Sequence, residues 1–320
     1  MSDFVIETWG LSKQYGGKAG CKNITLQVPR GSVFGFLGQN GAGKSTFVRA
    51  MLGLLHPTSG KAVMLGHPIG SVEARKKVGY LPELFRYPDW LTGTQLLEHH
   101  AQLCGLSRSE RKTIIRDVVE QVGMAGREKE RIRGFSKGMQ QRIGLACALL
   151  SDPELIFLDE PTSALDPIGR KEVRELIARL RDQGKTIFLN SHLLSEMESI
   201  CDHVGIIHRG ELVVHGEWRK LSAVAPQIEL TLDQVSEHLP QSLPDYVTDT
   251  RLLGQKEGQA TWLLTLDQDG RVPALLSELI AGGAAVHEVV RKQQSLEEVF
   301  LYWVQKKEGE AHVANRENHV

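Results

Sequence analysis

The sequence predicts an α/β protein with a mostly parallel sheet, a helical region and a smaller α+β domain near its C-terminal end. The apolar runs Leu155–Asp159 and Thr186–Asn190 are continuous, as expected of strands buried on both faces. Residues 167–184 lie between them and have helical periodicity, and strands that alternate with helices indicate a parallel sheet. The pattern changes near Trp218, which predicts a second domain.

The other elements of the first domain follow in a regular order. A short apolar strand over 32–38 leads through a glycine-rich loop into a helix over 44–55. Residues 92–150 have apolar side chains at spacings of three and four, which indicates helices. A short helix over 193–202 precedes two strands joined at Arg209-Gly210.

The region after Trp218 predicts a separate β-β-α-β unit. Its strands and helix are expected at 228–232, 261–267, 272–283 and 285–290, followed by an amphipathic helix over 295–304. We therefore expect a first domain over 1–218, a linker over 219–227 and a small α+β domain over 228–305. The remaining residues, 306–320, are polar and are expected to be disordered.

Composition excludes several classes of protein. The formal net charge of −1 gives no basic field for nucleic acid, so no nucleic-acid partner is expected. No apolar run reaches the roughly 18 residues of a membrane span, and the first ten residues lack a signal-peptide pattern. The four cysteines are widely spaced without a CxxC pair, which favours reduced thiols in a cytoplasm over disulfides or a zinc site.

The segment GQNGAGKST, residues 38–46, carries the strongest chemical signal. It fits the phosphate-loop template G-x-x-x-x-G-K-[ST] and lies between a strand and a helix, as that template requires. Glycines let backbone N–H groups surround phosphate oxygens, Lys44 neutralises phosphate charge, and Ser45 offers a hydroxyl to Mg²⁺. The predicted nucleotide contacts are Gly38, Asn40, Gly41, Ala42, Gly43, Lys44, Ser45 and Thr46.

A second signal is LIFLDEPTSALD, residues 155–166. The buried strand brings Asp159 and Glu160 to the carboxyl edge of the sheet, where open α/β sheets bind ligands. Asp159 can hold Mg²⁺, and Glu160 can act as a general base on an attacking water. Alone, such a pair is more often a solvated loop or a helix cap. Together with the phosphate loop, it favours a catalytic site.

The chain resembles the ATP-binding-cassette (ABC) ATPases over about residues 1–218. The segments GQNGAGKST, FSKGMQQR, LIFLDEPTSALD and NSHLLSE have the order and spacing of that family. The resemblance implies a P-loop NTPase cassette that hydrolyses ATP with Mg²⁺. It also implies that Tyr15 stacks on adenine and that His192 contacts the γ-phosphate. Ser136 and Gly138 match the signature motif, which closes over the nucleotide of a partner subunit, and 163–166 match the loop that crosses between partners.

Two segments depart from the usual pattern. The signature contains Lys137 and Met139 where LSGGQ is usual, which affects details of nucleotide contact. Glu83 lies in VGYLPE where many cassettes have glutamine, and its carboxylate can still bind Mg²⁺ or a water. YLPE, FSKGM and SLEEVF together resemble the ABC-2 or daunorubicin-resistance-type exporter branch.

The resemblance implies two kinds of partner. One chain holds one phosphate loop and one signature, so two subunits must pair, as a homodimer or a heterodimer, with two ATP molecules between them. The expected function is the ATPase subunit of an exporter, at the cytoplasmic face of the membrane, acting on separate permease subunits through 83–106. The alternative is a cassette ATPase that acts as a mechanical or regulatory switch outside transport.

Other cassette proteins match the sequence less well. DNA-acting cassettes carry a long coiled-coil insertion between these motifs, and translation-type cassettes carry two copies in one chain. A non-catalytic module would lack Glu160 or His192. The sequence does not name the transported substrate.

Overall fold

The computed structural model describes residues 2–16, 18–191, 193–222, 226–233, 243–256, 258–292 and 295–317. The chain divides into two compact units, Met1–Gly216 and Glu217–Val320. The expected boundary at 218 lies close to this division, and whether each unit folds alone stays a prediction.

The described residues of the first unit form two sheets. Its strands are β1 (Phe4–Tyr15), β2 (Lys18–Pro29), β3 (Val33–Leu37), β4 (Ser59–Met64), β5 (His67–Pro68), β6 (Val78–Leu81), β7 (Leu155–Asp159), β8 (Thr186–Asn190), β9 (His203–His208) and β10 (Glu211–Glu217). One sheet has the order β2-β1-β4-β5, and the other has the order β10-β9-β3-β8-β7-β6.

The six-stranded sheet is built around the parallel strands that the sequence predicts. All residues of β3, β7 and β8 are buried, which explains their continuous apolar sequences. β7 pairs with β8 in parallel, with Asp159 opposite Asn190 at the carboxyl ends. β3 pairs in parallel with β8 and β9, so the loop after β3 emerges at the same edge.

The helices of this unit lie between its strands in the sequence. They are α1 (Lys44–Met51), α2 (Val72–Arg75), α3 (Gly93–Leu103), α4 (Arg108–Gln121), α5 (Lys137–Leu149), α6 (Pro167–Asp182) and α7 (Leu194–Ile200). Capping residues in the sequence determine several helix starts: Thr92 and Ser107 form capping boxes on α3 and α4, and Asp166 caps α6 ahead of its first-turn proline.

The core of the first unit is rich in aromatic side chains. Phe34, Phe36, Phe47, Phe157 and Phe188 are almost completely buried. The Phe36 ring centroid lies 5.0 Å from that of Phe47 and 5.4 Å from that of Phe188. This packing fixes α1 against the central strands. It thereby sets the position of the loop that joins β3 to α1.

Among its described residues, the second unit contains an antiparallel sheet and three α-helices. Its elements are α8 (Trp218–Ser222), β11 (Gln227–Asp233), β12 (Val247–Lys256), β13 (Gln259–Leu266), α9 (Val272–Ala281), β14 (Val286–Lys292) and α10 (Leu296–Glu317). The sheet order is β12-β13-β11-β14. Ile228, Leu230 and Leu232 alternate along β11 and pack with α9 residues such as Leu275 and Leu279 in one core.

Several strands, among them β12, were not predicted, and three further differences concern α1, the linker and the C-terminal tail. The helix α1 ends at Met51 instead of at 55. The expected linker contains most of α8 and the first residue of β11. The helix α10 continues to Glu317, into the segment 306–320 that was expected to be disordered. Lysine, glutamate and alanine are frequent there and favour continuation of a helix. Residues 318–320 lie outside the described residues.

Candidate active site

The loop between β3 and α1 is shaped by glycines that no larger residue could replace. Gly43 has a φ of 107° and precedes the first turn of α1. A Cβ on Gly43 would lie 2.1 Å from the Gly20 carbonyl oxygen, and one on Gly38 would lie 2.5 Å from that of Ile207. The first N–H groups of an α-helix have no intrahelical acceptors. The start of α1 therefore offers donors to an anion.

Lys44 is the first residue of α1 and is almost completely buried. Its Nζ donates to the Gly38 carbonyl oxygen at 2.5 Å and to that of Gln39 at 3.3 Å. Burial lowers the pKa of Lys44, while the nearby Glu160 and Asp159 carboxylates oppose that shift. The Lys44 ammonium group therefore donates to carbonyl oxygens of the loop and has the Asp159 and Glu160 carboxylates nearby.

Asp159 ends β7 and contacts the neighbouring strand. The Asn190 Nδ2 donates to the Asp159 Oδ1 at 2.6 Å. Burial is the largest effect on this carboxyl and raises its pKa to about 6, although the hydrogen bond from Asn190 acts in the opposite direction. The negative charges of Glu83 and Glu160 raise it further. A nearby cation would relieve this unfavourable environment.

Glu160 has a backbone conformation that is unusual for a residue with a side chain. Its φ is 53°, in the left-handed region. Its N–H donates to the Asn190 carbonyl oxygen at 2.8 Å, and the Ser191 hydroxyl lies 3.4 Å from the Glu160 Oε2. Residues in such conformations persist where surrounding contacts hold them, and they are frequent in active sites.

These elements enclose one cavity of about 470 Å³ at the carboxyl edge of the sheet. Its lining includes most of the residues predicted from the sequence, namely Tyr15, Asn40, Gly41, Gly43, Lys44, Ser45, Thr46, Glu83, Asp159 and Glu160. Gly38 and Ala42 belong to the same loop but do not line the cavity. Gly38 packs closely against the Ile207 main chain, and Ala42 is buried. His192 lies outside the described residues.

Sequence reasoning missed two lining residues, Gly20 and Asn190. Asn190 had a detectable signal, because it ends an apolar run of the same kind as the one that ends at Asp159. Polar residues at that place on neighbouring parallel strands meet at one edge of the sheet. Gly20 lies within β2 and carries no comparable pattern.

Ser136 and Gly138 lie in a different place, in a second depression of about 400 Å³ that also includes Leu165, Asp166 and Gly169. The Ser136 hydroxyl accepts a hydrogen bond from the Met139 N–H at 3.2 Å and so caps α5. The structure therefore does not bring the signature residues to the phosphate loop of the same chain.

Comparisons with known proteins agree with these motifs. Residues 21–163 match the family model described as ABC transporter. An uncharacterized ABC transporter ATP-binding protein of Synechocystis is 36% identical over 317 residues, covering 93% of this chain and 84% of the relative. The chain belongs to the ATP-binding proteins of ABC transporters. As a member of this family it is an ATPase, and the predicted P-loop fold and ATP ligand are confirmed.

Two further ABC proteins are similar to the chain. The bacitracin transport ATP-binding protein BcrA of Bacillus licheniformis is 42% identical over 212 residues, which cover 65% of this chain and 68% of BcrA. A solved structure of the ATP-binding subunit of an ABC transporter superimposes with a TM-score of 0.63 at 29% identity, covering 68% of this chain and 91% of that one. Within the described residues, no helix combines the length and apolar character needed to cross a bilayer.

The donor groups in the cavity of this ABC ATPase fit a hard divalent cation. Ser45 offers a hydroxyl, and Asp159 and Glu83 offer carboxylates, which are the oxygen ligands that Mg²⁺ prefers. The Asn190 Oδ1 is buried, and no described residue donates a hydrogen bond to it. A water molecule bound to a cation could supply that donor.

Proposed function

We propose that this subunit binds MgATP in the cavity beside α1 and hydrolyses it to drive export through separate membrane subunits. The observation that carries the proposal is the meeting of the phosphate loop with Glu83, Asp159 and Glu160 around one cavity. A phosphate-binding helix start and several carboxylates together fit a nucleotide whose phosphates are bridged by a metal ion.

The phosphate loop holds the triphosphate in this proposal. The free N–H groups at the start of α1 donate to phosphate oxygens, and Lys44 adds its charge at the β- and γ-phosphates. Ser45 and Asp159 would hold Mg²⁺, Asp159 directly or through water, and Glu83, which lines the same cavity, would bind the ion or one of its waters. When bound, Mg²⁺ neutralises charge that develops on the phosphate oxygens.

Glu160 is the proposed general base. Its carboxylate accepts a proton from the attacking water as the bond from that water's oxygen to the γ-phosphorus forms and the bond from the γ-phosphorus to the β,γ-bridging oxygen breaks, so that ADP and phosphate are released. Its main chain is fixed to β8 through Asn190, which limits the freedom of the side chain. His192, from the family pattern, is proposed to contact the γ-phosphate.

Tyr15 is proposed to stack on the adenine ring. It ends β1 at the cavity, about half of its side chain is exposed, and the Lys13 Nζ lies 5.4 Å from its ring centroid. A Cβ on Gly20 would lie 2.7 Å from the Tyr15 ring, so the glycine allows the ring to lie close to the phosphate loop. An exposed aromatic face at the mouth of a polar cavity suits a purine.

Two copies of the chain are proposed to enclose two ATP molecules, and a heterodimer with another cassette is the alternative. The supporting observation is that the depression at Ser136 and Gly138 contains none of the phosphate-loop residues. A partner's γ-phosphate would meet the N-terminal end of α5, where unpaired N–H groups favour an anion.

The direction of transport and the membrane partner rest on relatives and on one exposed surface. The name of BcrA ties that relative to bacitracin transport, which favours an exporter for this chain. Leu84, Trp90 and Leu103 are 87%, 68% and 85% exposed within residues 83–106. Such apolar side chains suit contact with a membrane subunit, so the chain is expected to work at the cytoplasmic face of the membrane.

The test compares Glu160→Gln, Lys44→Ala and the exposed Lys171→Ala as a matched control. Glu160→Gln should bind ATP but lose about 10²- to 10⁴-fold in turnover, because the amide cannot accept the proton. Its MgATP complex should therefore persist as a dimer in size-exclusion chromatography. Lys44→Ala should lose tight MgATP binding while staying folded, and Lys171→Ala should behave as wild type. Wild-type turnover in folded Lys44→Ala, or a monomeric ATP complex of Glu160→Gln, would contradict the corresponding part of the proposal.

A further inference from the structure

Helix α5 buries one polar side chain among small and apolar ones. Its buried residues are Gln141, Ile143, Gly144, Leu145, Ala146, Ala148 and Leu149. Gln141 is only 4% exposed. Burial of an amide costs free energy unless the amide makes hydrogen bonds, so this position calls for a specific partner.

The partner of Gln141 is the main chain of the proposed general base. The Gln141 Nε2 donates to the Glu160 carbonyl oxygen across 3.4 Å, and both residues are buried. The same oxygen accepts a hydrogen bond from the Ser163 hydroxyl at 3.1 Å. Ser163 follows in the same loop, whereas Gln141 belongs to a separate helix. The hydrogen bond from Gln141 therefore connects Glu160 to α5, which lies outside the loop of Glu160.

The backbone conformation of Glu160 has to be stabilised by contacts of this kind. Its φ of 53° is disfavoured for a residue with a side chain, so other conformations of this peptide compete with the observed one. The N–H of Glu160 is anchored on β8 by the Asn190 carbonyl oxygen at 2.8 Å. The hydrogen bond from Gln141 acts on the other peptide group of Glu160, so the residue is held from both sides.

The same helix also contacts the segment that carries Glu83. Gly144 is three residues after Gln141 and lies on the same side of α5. A Cβ on Gly144 would lie 3.3 Å from the Phe85 ring and 3.4 Å from the Tyr87 hydroxyl. One face of α5 thus supports both segments that bring Glu83 and Glu160 to the cavity.

We infer that Gln141 is a positioning residue for ATP hydrolysis, which holds the Glu160 main chain so that its carboxylate stays directed at the attacking water. The inference rests on the proposed function, since it requires Glu160 to be the base. Gln141 does not line the ATP cavity and acts only through Glu160. A small displacement of a catalytic group lowers the rate of the chemical step more than it lowers substrate binding.

The test uses the full chain with Gln141→Leu and Gln141→Met, which keep the side-chain volume but remove the donor. The matched control is Gln121→Leu at the exposed end of α4. We expect kcat to fall by at least about tenfold in both Gln141 variants, while KM and the Kd for ATP change by less than about threefold. Gln121→Leu should keep wild-type kcat.

A second comparison separates positioning from general damage. In a Glu160→Gln background, Gln141→Leu should change the residual turnover by less than about twofold, because residues that act as one unit are not additive. Wild-type kcat in the single variants would overturn the inference, as would a parallel loss of ATP binding or a full additional loss in the double variant. Absence of turnover in the wild-type chain would instead overturn the proposed function.

Discussion

Asp159 is held in an environment that disfavours its charge. Its carboxyl is buried beside Glu83 and Glu160, and its pKa is raised from 3.8 to about 6. Above pH 6 the folded protein must keep a buried negative charge that the unfolded chain exposes to water. Below pH 3.8 the carboxyl is protonated in both states. The wild-type protein therefore loses stability as the pH rises through this window.

The variant Asp159→Asn removes this effect. Without Mg²⁺ or nucleotide, its free energy of unfolding should exceed that of wild type by about 1–3 kcal/mol above pH 6, and the difference should shrink towards pH 4. Denaturant unfolding in the presence of a chelator, repeated from pH 4 to pH 8, measures it. A difference that does not change with pH would show that the effect does not come from the ionised carboxylate.

Glu83 is expected to affect Mg²⁺ binding more than folding stability. It is exposed at the cavity, and its charge contributes to the raised pKa of Asp159. In Glu83→Gln, loss of one negative charge should raise the Mg²⁺ concentration for half-maximal ATPase activity by about two- to tenfold, less at high salt. The control is Glu73→Gln on the exposed start of α2. An unchanged Mg²⁺ titration would place Glu83 away from the ion.

Single residues differ in how far the sequence reveals them. Lys44, Ser45, Asp159 and Glu160 belong to local motifs that each follow a predicted buried strand, so the sequence predicted that they share the carboxyl edge of the sheet. Gln141 and Asn190 act through hydrogen bonds to residues 19 and 31 positions away. Such contacts depend on which strands and helices become neighbours. The apolar run that ends at Asn190 indicates a strand end but not its hydrogen-bond partner, and no local pattern records the contact of Gln141.

The loop between β3 and α1 depends on backbone geometry at Gly43. Gly43→Ala would place a methyl group against the Gly20 carbonyl oxygen in a left-handed conformation. We expect this variant to lose at least about tenfold in ATP affinity, because the loop must shift. Gly66→Ala is the control, since Gly66 also has a positive φ of 83° but nothing within 4 Å of its added Cβ.

Gly66→Ala should lose about 1 kcal/mol of stability from its backbone conformation and keep wild-type ATP affinity. Equilibrium ATP binding and thermal unfolding of both variants measure the two effects. Equal losses of affinity in the two variants would mean that the strained conformation, and not the close approach at Gly43, is responsible.

Elements with a strong apolar pattern were the easiest to predict. β3, β7 and β8 are buried on both faces, so their sequences are apolar throughout. β12 was missed, because nine of its ten residues are exposed and its sequence VTDTRLLGQK has no clear alternation. β12 lies at the edge of its sheet, so its formation depends on pairing with β13 more than on burial of its side chains.

The division of the whole chain into two units predicts the result of a truncation. A chain that ends at Leu221 should fold and bind ATP within about threefold of wild type, because the cavity lies entirely in the unit Met1–Gly216. Circular dichroism and ATP binding measure this. A truncated chain that does not fold would mean that the two units share one core. A folded chain that no longer dimerises with MgATP would assign dimerisation to the second unit.

Two variants that are each expected to be inactive alone should recover ATPase activity when they are mixed, if each site is shared between two copies of the chain. Ser136→Arg fills the depression where a partner's γ-phosphate is proposed to bind. Lys44→Ala removes phosphate binding in the cavity of the chain that carries it. A mixed dimer contains one site with both defects and one site with neither. Some ATPase activity should therefore return on mixing, compared with each variant alone. No recovery, with mixed dimers present, would mean that turnover needs both sites.

If two copies of the chain pair as proposed, the separation of the cavity from the depression at Ser136 also has a consequence for a defective gene copy in a cell. Each chain would then supply halves of two different sites, so a Lys44→Ala chain would impair the pair it joins and not only itself. With equal expression of normal and defective chains and random pairing, about three quarters of the dimers would contain a defective copy. Such an allele should be dominant when both sites are required, although half of the chains in the cell are normal.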